Sequence, residues 1–223
     1  MSGAEINEQA HVEKRSFAQK KLDVKLERFL GFTGGFFVEA GANDGITHSN
    51  TVYFERHLDW TGLLVEPIPE LAARCRRNRP ACIVENCALV SLDYERPTID
   101  MHYCDLMSIV RGARRSDEAD REHLRAGKRL QEVEPYEVTV PASPLSSLFD
   151  RHGVTHCDLL SLDVEGFELS ALKGLDLERH RPDWILVESW FGNEIEQYLG
   201  AHYEFVALFA TRDVLFRARD DAG

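Results

Sequence analysis

Short apolar runs recur along this chain, and a stretch of helical periodicity follows each of them. Phe36-Phe37-Val38, Leu63-Leu64-Val65, a third run within residues 81–89, Leu159-Leu160-Ser161-Leu162 and a run over 184–187 show none of the polar–apolar alternation of a half-solvated strand. Strands covered on both faces read this way, and strand–helix alternation means a parallel sheet joined by crossovers. Helical stretches are expected over 50–57, over 70–78 with Pro69 in the first turn, over 145–151, up to about Lys173 with Gly174 behind it, and over 194–199 closed by Gly200. Nearer the start, Phe17, Leu22, Leu26, Phe29 and Leu30 predict a helix from Ser16 that stops at Gly31. Residues 203–210 and 214–217, joined by Thr211-Arg212-Asp213, read as a terminal hairpin that adds an antiparallel strand at one edge. The expected fold is α/β: a doubly wound, Rossmann-like, mostly parallel sheet.

A chain of 223 residues has room for one ordinary domain. Residues 1–15 read as a loose tail and 16–223 as the domain, with 90–144 longer than one crossover requires. The net charge of −12 argues against a general electrostatic grip on nucleic acid or a polybasic contact with membranes. No apolar run is long enough to span a bilayer, and the polar N-terminus does not read as a secretory signal. Five cysteines with no C-x-x-C pair suggest neither a disulfide framework nor structural zinc, and fit a reducing cytoplasm. The sequence is compatible with a homo-oligomer and does not specify one.

Doubly wound sheets bind ligands at the carboxyl ends of their strands. The first strand ends in Glu39-Ala40-Gly41-Ala42-Asn43-Asp44-Gly45, an E-x-G-x-x-x-G loop. Its glycines permit a tight turn and a close approach by a nucleoside. Its acids favour a cationic ligand, such as the sulfonium of S-adenosylmethionine, over the pyrophosphate that G-x-G-x-x-G loops hold. Glu66, about twenty residues on, is placed to accept ribose hydroxyls of either an S-adenosylmethionine or an NAD. The third strand region ends in Glu85-Asn86-Cys87-Ala88, where Asn86 can meet an adenine edge beside a small residue. The fourth ends in Asp163-Val164-Glu165-Gly166-Phe167-Glu168, acids suited to binding a hydroxyl, removing its proton or ligating a metal, or merely to capping a helix.

These segments together resemble the FkbM family of methyltransferases. The resemblance rests on the block 35–45, Ser49-Asn50-Thr51, Trp60-Thr61-Gly62-Leu63-Leu64-Val65-Glu66-Pro67, Asn78-Arg79-Pro80, and the second block 158–168 ending in Leu172-Lys173-Gly174. It spans roughly residues 17 to 190. It implies a seven-stranded class I methyltransferase fold, S-adenosylmethionine as methyl donor, and transfer to oxygen, commonly a sugar hydroxyl of a glycan, glycolipid or natural product. Carried over, Glu39, Gly41, Asn43, Asp44 and Gly45 line the methionine end, with Ser49 and Asn50 beside them. Glu66 holds the ribose, Asn86 and Ala88 lie near adenine, and Ala42, Pro67, Asp163 and Glu165 complete the lining. Many relatives have Asp where this chain has Glu39.

Methyl transfer to a neutral hydroxyl requires alignment and removal of a proton. Asp163 is the leading base. Glu188, ending the fifth strand, is its expected neighbour, and the pair resembles the magnesium site of another group of sugar O-methyltransferases, so Mg2+ on Asp163 and Glu188 is an expectation to test. His48, just after the glycine loop, is the alternative base. Residues Arg111, Arg114, Arg115, Arg121, Arg125, Lys128 and Arg129 mark the middle section either as a lid that grips an anionic acceptor or as a solvated helix of mixed charge. Two other functions compete: an NAD-dependent oxidoreductase or epimerase, and an inactive domain that only binds.

Overall fold

The computed structural model describes residues 14–220; most of the tail expected over 1–15 lies outside them. The first half runs α1 (Leu22–Leu30), β1 (Phe36–Ala40), α2 (Val52–Leu58), β2 (Thr61–Val65), α3 (Pro69–Asn78), β3 (Ile83–Glu85) and β4 (Ala88–Leu89). A middle section follows with β5 (Thr98–Tyr103), β6 (Ile109–Val110), α4 (Asp117–Gln131) and β7 (Tyr136–Ser143). The chain then continues through α5 (Leu145–His152), β8 (Leu159–Leu162), α6 (Glu168–Leu172), β9 (Trp184–Glu188), α7 (Gly192–Leu199), β10 (Tyr203–Leu208) and β11 (Asp213–Ala218).

Seven strands form one sheet in the order β10-β11-β9-β8-β1-β2-β3. Pairing is parallel from β3 through β9, and β11 runs antiparallel to both β9 and β10. The expected antiparallel hairpin forms at one edge of the sheet; within it β11 lies one place inward and β10 takes the edge. Continuous apolar runs produce this sheet because both of its faces are buried. Val38, Leu63, Leu160 and Val187 face one core with Leu148 and Phe149 of α5. Phe37, Leu64, Leu159 and Leu186 face the other, with Leu26 and Leu30 of α1 and Phe54 of α2. Successive side chains in a strand point to opposite faces, so a strand between two cores must be apolar at every position.

Two boundaries depart from the periodicity. Residues 16–18 pack as an extended segment ahead of α1, because the buried Asp23 carboxylate accepts the Ser16 hydroxyl at 2.6 Å and the backbone N–H groups of Phe17 and Ala18 at 2.6 and 3.1 Å. The run over 81–89 splits at Asn86: β3 stays in the main sheet, and β4 leaves to pair with β7 in a second sheet of order β4-β7-β5-β6. That sheet and α4 occupy the middle section, with a core of its own that includes Ile99, Ile109 and Val140. All five cysteines are free. No helix among the described residues is long and apolar enough to cross a membrane.

Candidate active site

A cavity of about 380 Å³ opens at the carboxyl ends of β1, β2, β8 and β9, and the middle section covers it. Gly41 sets its geometry. The residue has φ +82°, and a Cβ there would stand 1.8 Å from the Asp163 carbonyl oxygen. Only glycine lets β1 and β8 end in such close contact in this conformation. The Gly41 N–H donates to Val65 at 3.0 Å and the Asp163 N–H to Ala40 at 3.1 Å, so three strand ends are tied at one point.

At one end of the cavity, Glu66 is buried and each of its carboxyl oxygens accepts a backbone N–H at 2.8 Å, from Asn43 and from Ile68. Burial pushes its pKa up to about 8 against the lowering effect of those hydrogen bonds, and the charge of Asp105 adds to the rise. Pro67, Ala42, Asn43 and Ala88 also line this end. Glu39 reaches the cavity but is a structural hub: it accepts the Ser49 and Thr51 hydroxyls at 2.8 and 2.7 Å and the Asn50 N–H at 2.8 Å. Asn50 in turn donates to Ser161 Oγ at 3.1 Å, linking this loop to β8.

Three expected contacts do not form part of the lining. Asp44 closes its own turn, accepting the N–H groups of Ile46 and Thr47 and the Thr47 hydroxyl. Burial opposes its ionisation, but these hydrogen bonds carry its carboxyl below the ordinary range. Gly45 packs on Arg79 and Cys75. Asn86 donates its amide to the carbonyls of Glu66 and Pro67 at 2.9 and 2.8 Å, bracing the strand end.

The opposite end is acidic. Asp163, Glu165 and Glu188 each offer an oxygen within 4.8 Å of the others. Asp163 caps no helix; its Oδ1 is sealed from solvent without a hydrogen-bond partner. Burial, then the charges of Glu188 and Glu165, hold its carboxyl well above the usual range. Burial and Glu188 push Glu165 up to about 7. Two guanidiniums serve this cluster: Arg114 Nη2 donates to Glu165 at 2.6 Å, and Arg212 Nε lies 3.4 Å from Glu188. Both also stack on Trp190, with guanidinium carbons 3.3 and 3.4 Å from the ring centroid. At such distances they can only occupy opposite faces of the indole.

His48 borders the cavity on its exposed side, with a left-handed backbone and Nδ1 3.1 Å from Gln19 Nε2. Its Nδ1 lone pair is thus engaged by an amide, which disfavours it as a base. Sequence reasoning missed the residues supplied from a distance: Arg79, Asp105, Arg114 as a buried partner, His123 and Trp190. Arg79 is fully buried, donating to Gly45 O at 3.0 Å and Thr51 Oγ1 at 3.2 Å, paired with Glu55, and 3.8 Å from Glu39. Its place in Asn78-Arg79-Pro80 was the only available signal. Of the basic residues in the middle section, Arg121, Arg125, Lys128 and Arg129 are solvated on α4. Arg114 is buried.

Numbered within the main sheet alone, the strand order is 3-2-1-4-5-7-6 with the seventh antiparallel, which defines a class I methyltransferase fold. A Staphylococcus aureus protein provisionally described as a caffeoyl-CoA O-methyltransferase shares it at 8% identity, over 93% of this chain and 87% of that one, with a TM-score of 0.50. A TehB-like SAM-dependent methyltransferase from Corynebacterium glutamicum aligns at 10% identity over 89% and 88%, with a TM-score of 0.45. No curated protein matches the sequence significantly. The model of the methyltransferase FkbM domain matches residues 39–217, and the chain belongs to that family. The family is one of methyltransferases, which displaces the NAD-dependent oxidoreductase reading.

Proposed function

We propose that the protein is an S-adenosylmethionine-dependent O-methyltransferase acting on a hydroxyl of a sugar, glycoconjugate or related small compound. The donor set of the cavity fits that cofactor: six carboxyl groups and one guanidinium, Arg212, are the carboxylate and guanidinium groups lining it among the described residues. Such a lining welcomes a sulfonium and an ammonium and repels a pyrophosphate. Glu66, Asn43, Pro67 and Ala88 would hold the nucleoside end, and Glu39, Gly41, Ser49 and Asn50 would shape the methionine end. When bound, the cofactor supplies an electrophilic methyl group.

The observation that carries the reading is that one cavity is lined by Glu66 at one end and by the acidic cluster of Asp163, Glu165 and Glu188 at the other. An acceptor hydroxyl that donates to the ionised Asp163 carboxylate gives up its proton there, which makes Asp163 the candidate general base. Arg114 and Arg212 accompany Glu165 and Glu188, so the cluster carries its own counter-charge without the Mg2+ expected on Asp163 and Glu188. The middle section closes the acceptor side and excludes water.

The test is transfer of labelled methyl from S-adenosylmethionine to a panel of sugars and glycosides. Asp163→Asn should lower turnover by about 10²–10⁴-fold while S-adenosylhomocysteine still binds. An unchanged rate in that variant would overturn the role of Asp163. Absence of binding by the wild-type protein would overturn the reading as a whole.

A further inference from the structure

The middle section reaches into the nucleoside end of the cavity as well as covering the acceptor end. The turn 105–108 lines the cavity, and Asp105 Oδ1 accepts the Asn43 side-chain amide at 3.2 Å. Asn43 is the residue whose backbone N–H holds Glu66. Asp105, Asn43 and Glu66 therefore form one connected group, although the middle section, the glycine loop and the end of β2 each supply one member. Asp105 and Asn43 both have left-handed backbones, at φ 52° and 50°. Backbone held in a sparsely populated region persists only where its surroundings fix it. The surroundings do so here: Ser108 Oγ donates to the Asp105 carbonyl at 2.7 Å and accepts the Cys104 N–H at 2.9 Å. His123 anchors the same turn. Its Nδ1, 3.0 Å from Arg114 Nη2, must accept because a guanidinium only donates. The imidazole proton is therefore on Nε2, which donates to the Met107 carbonyl at 2.9 Å.

We propose that Asp105 is a cofactor-binding residue: its carboxylate accepts a hydrogen bond from the adenosine moiety, and the 105–108 turn forms the lid over that nucleoside. The inference rests on the methyl-donor reading above. Each Glu66 oxygen already accepts one backbone N–H, which leaves one lone pair apiece, and Asp105 adds acceptor capacity for a nucleoside rich in hydroxyl and amino donors. A carboxylate is the side chain that only accepts. Leu106 and Met107, which also line the cavity, give the turn the apolar surface a purine requires.

Two variants test it. Asp105→Asn keeps the shape and tolerates the left-handed backbone; Asp105→Gly keeps the backbone and removes the side chain. Calorimetric titration with S-adenosylhomocysteine and with adenosine should show Kd raised about tenfold or more for both ligands in both variants. The melting temperature of the free protein should stay close to wild type in at least one of them. A Kd for S-adenosylhomocysteine within twofold of wild type in both variants overturns the inference and leaves the methyl-donor reading standing. A wild-type protein that binds neither ligand overturns both.

Discussion

Replacing Arg79 by Met removes a guanidinium that is 1% exposed and leaves its partners in place. Glu39, itself 5% exposed, loses its nearest cation at 3.8 Å, and Glu55 loses an ion pair. The Gly45 carbonyl and the Thr51 hydroxyl each lose a donor. Removing one member of a buried charged network costs about 3–5 kcal/mol, most of it from stranding the remaining charge. In a domain of this size each kcal/mol moves the melting temperature by about 2–4 °C, so Arg79→Met should melt about 6–20 °C lower by calorimetry. Glu39→Gln removes the stranded charge. The double variant should therefore recover about 1 kcal/mol or more relative to the sum of the single ones. Strictly additive effects, or a drop of less than about 3 °C for Arg79→Met, would refute the reading that Arg79 and Glu39 belong to one buried charged network.

Other expectations follow from the same geometry. Glu66 has a folded pKa of about 8 against an ordinary 4.5, so the native chain retains a proton that the unfolded chain releases. Stability from this group is present at acid pH and is lost as pH rises through about 8. A series of thermal melts should show that decline, and Glu66→Gln should flatten it. Gly41→Ala places a methyl group 1.8 Å from the Asp163 carbonyl on a left-handed backbone, so it should abolish S-adenosylhomocysteine binding or yield insoluble protein. Saturating EDTA should leave methyl transfer unchanged, because guanidiniums already accompany Glu165 and Glu188; loss of turnover that Mg2+ restores would reverse that assignment.

The sheet was legible because burial on both faces leaves a mark that survives in one dimension: Leu63-Leu64-Val65 admits few other readings. The acidic strand ends were legible for the same reason, since a charge directly after such a run, as at Glu66 or Asp163, must lie at the rim. Side-chain commitment was not legible. Asn86 looks ligand-ready in sequence and is occupied by two carbonyls; Asp44 is consumed by its own turn. Asp105, Arg114 and His123 lie in a section whose periodicity records only its own small core, so nothing local shows that they meet residues 43, 165 and 190. The placement of β11 between β9 and β10 was equally hidden, because a hairpin pattern fixes which strands pair with each other and not which of them meets the rest.

The bare α-carbon at Gly41 has one more consequence. It seats the Glu66 half and the Asp163 half of the cavity against each other, main chain to main chain, with no side chain between them to shorten or lengthen. The spacing between those halves works as a fixed gauge. If descendants of this fold come to handle bulkier or smaller partners, the accommodating changes belong in the β10–β11 turn and the covering segment, while the gauge itself stays put.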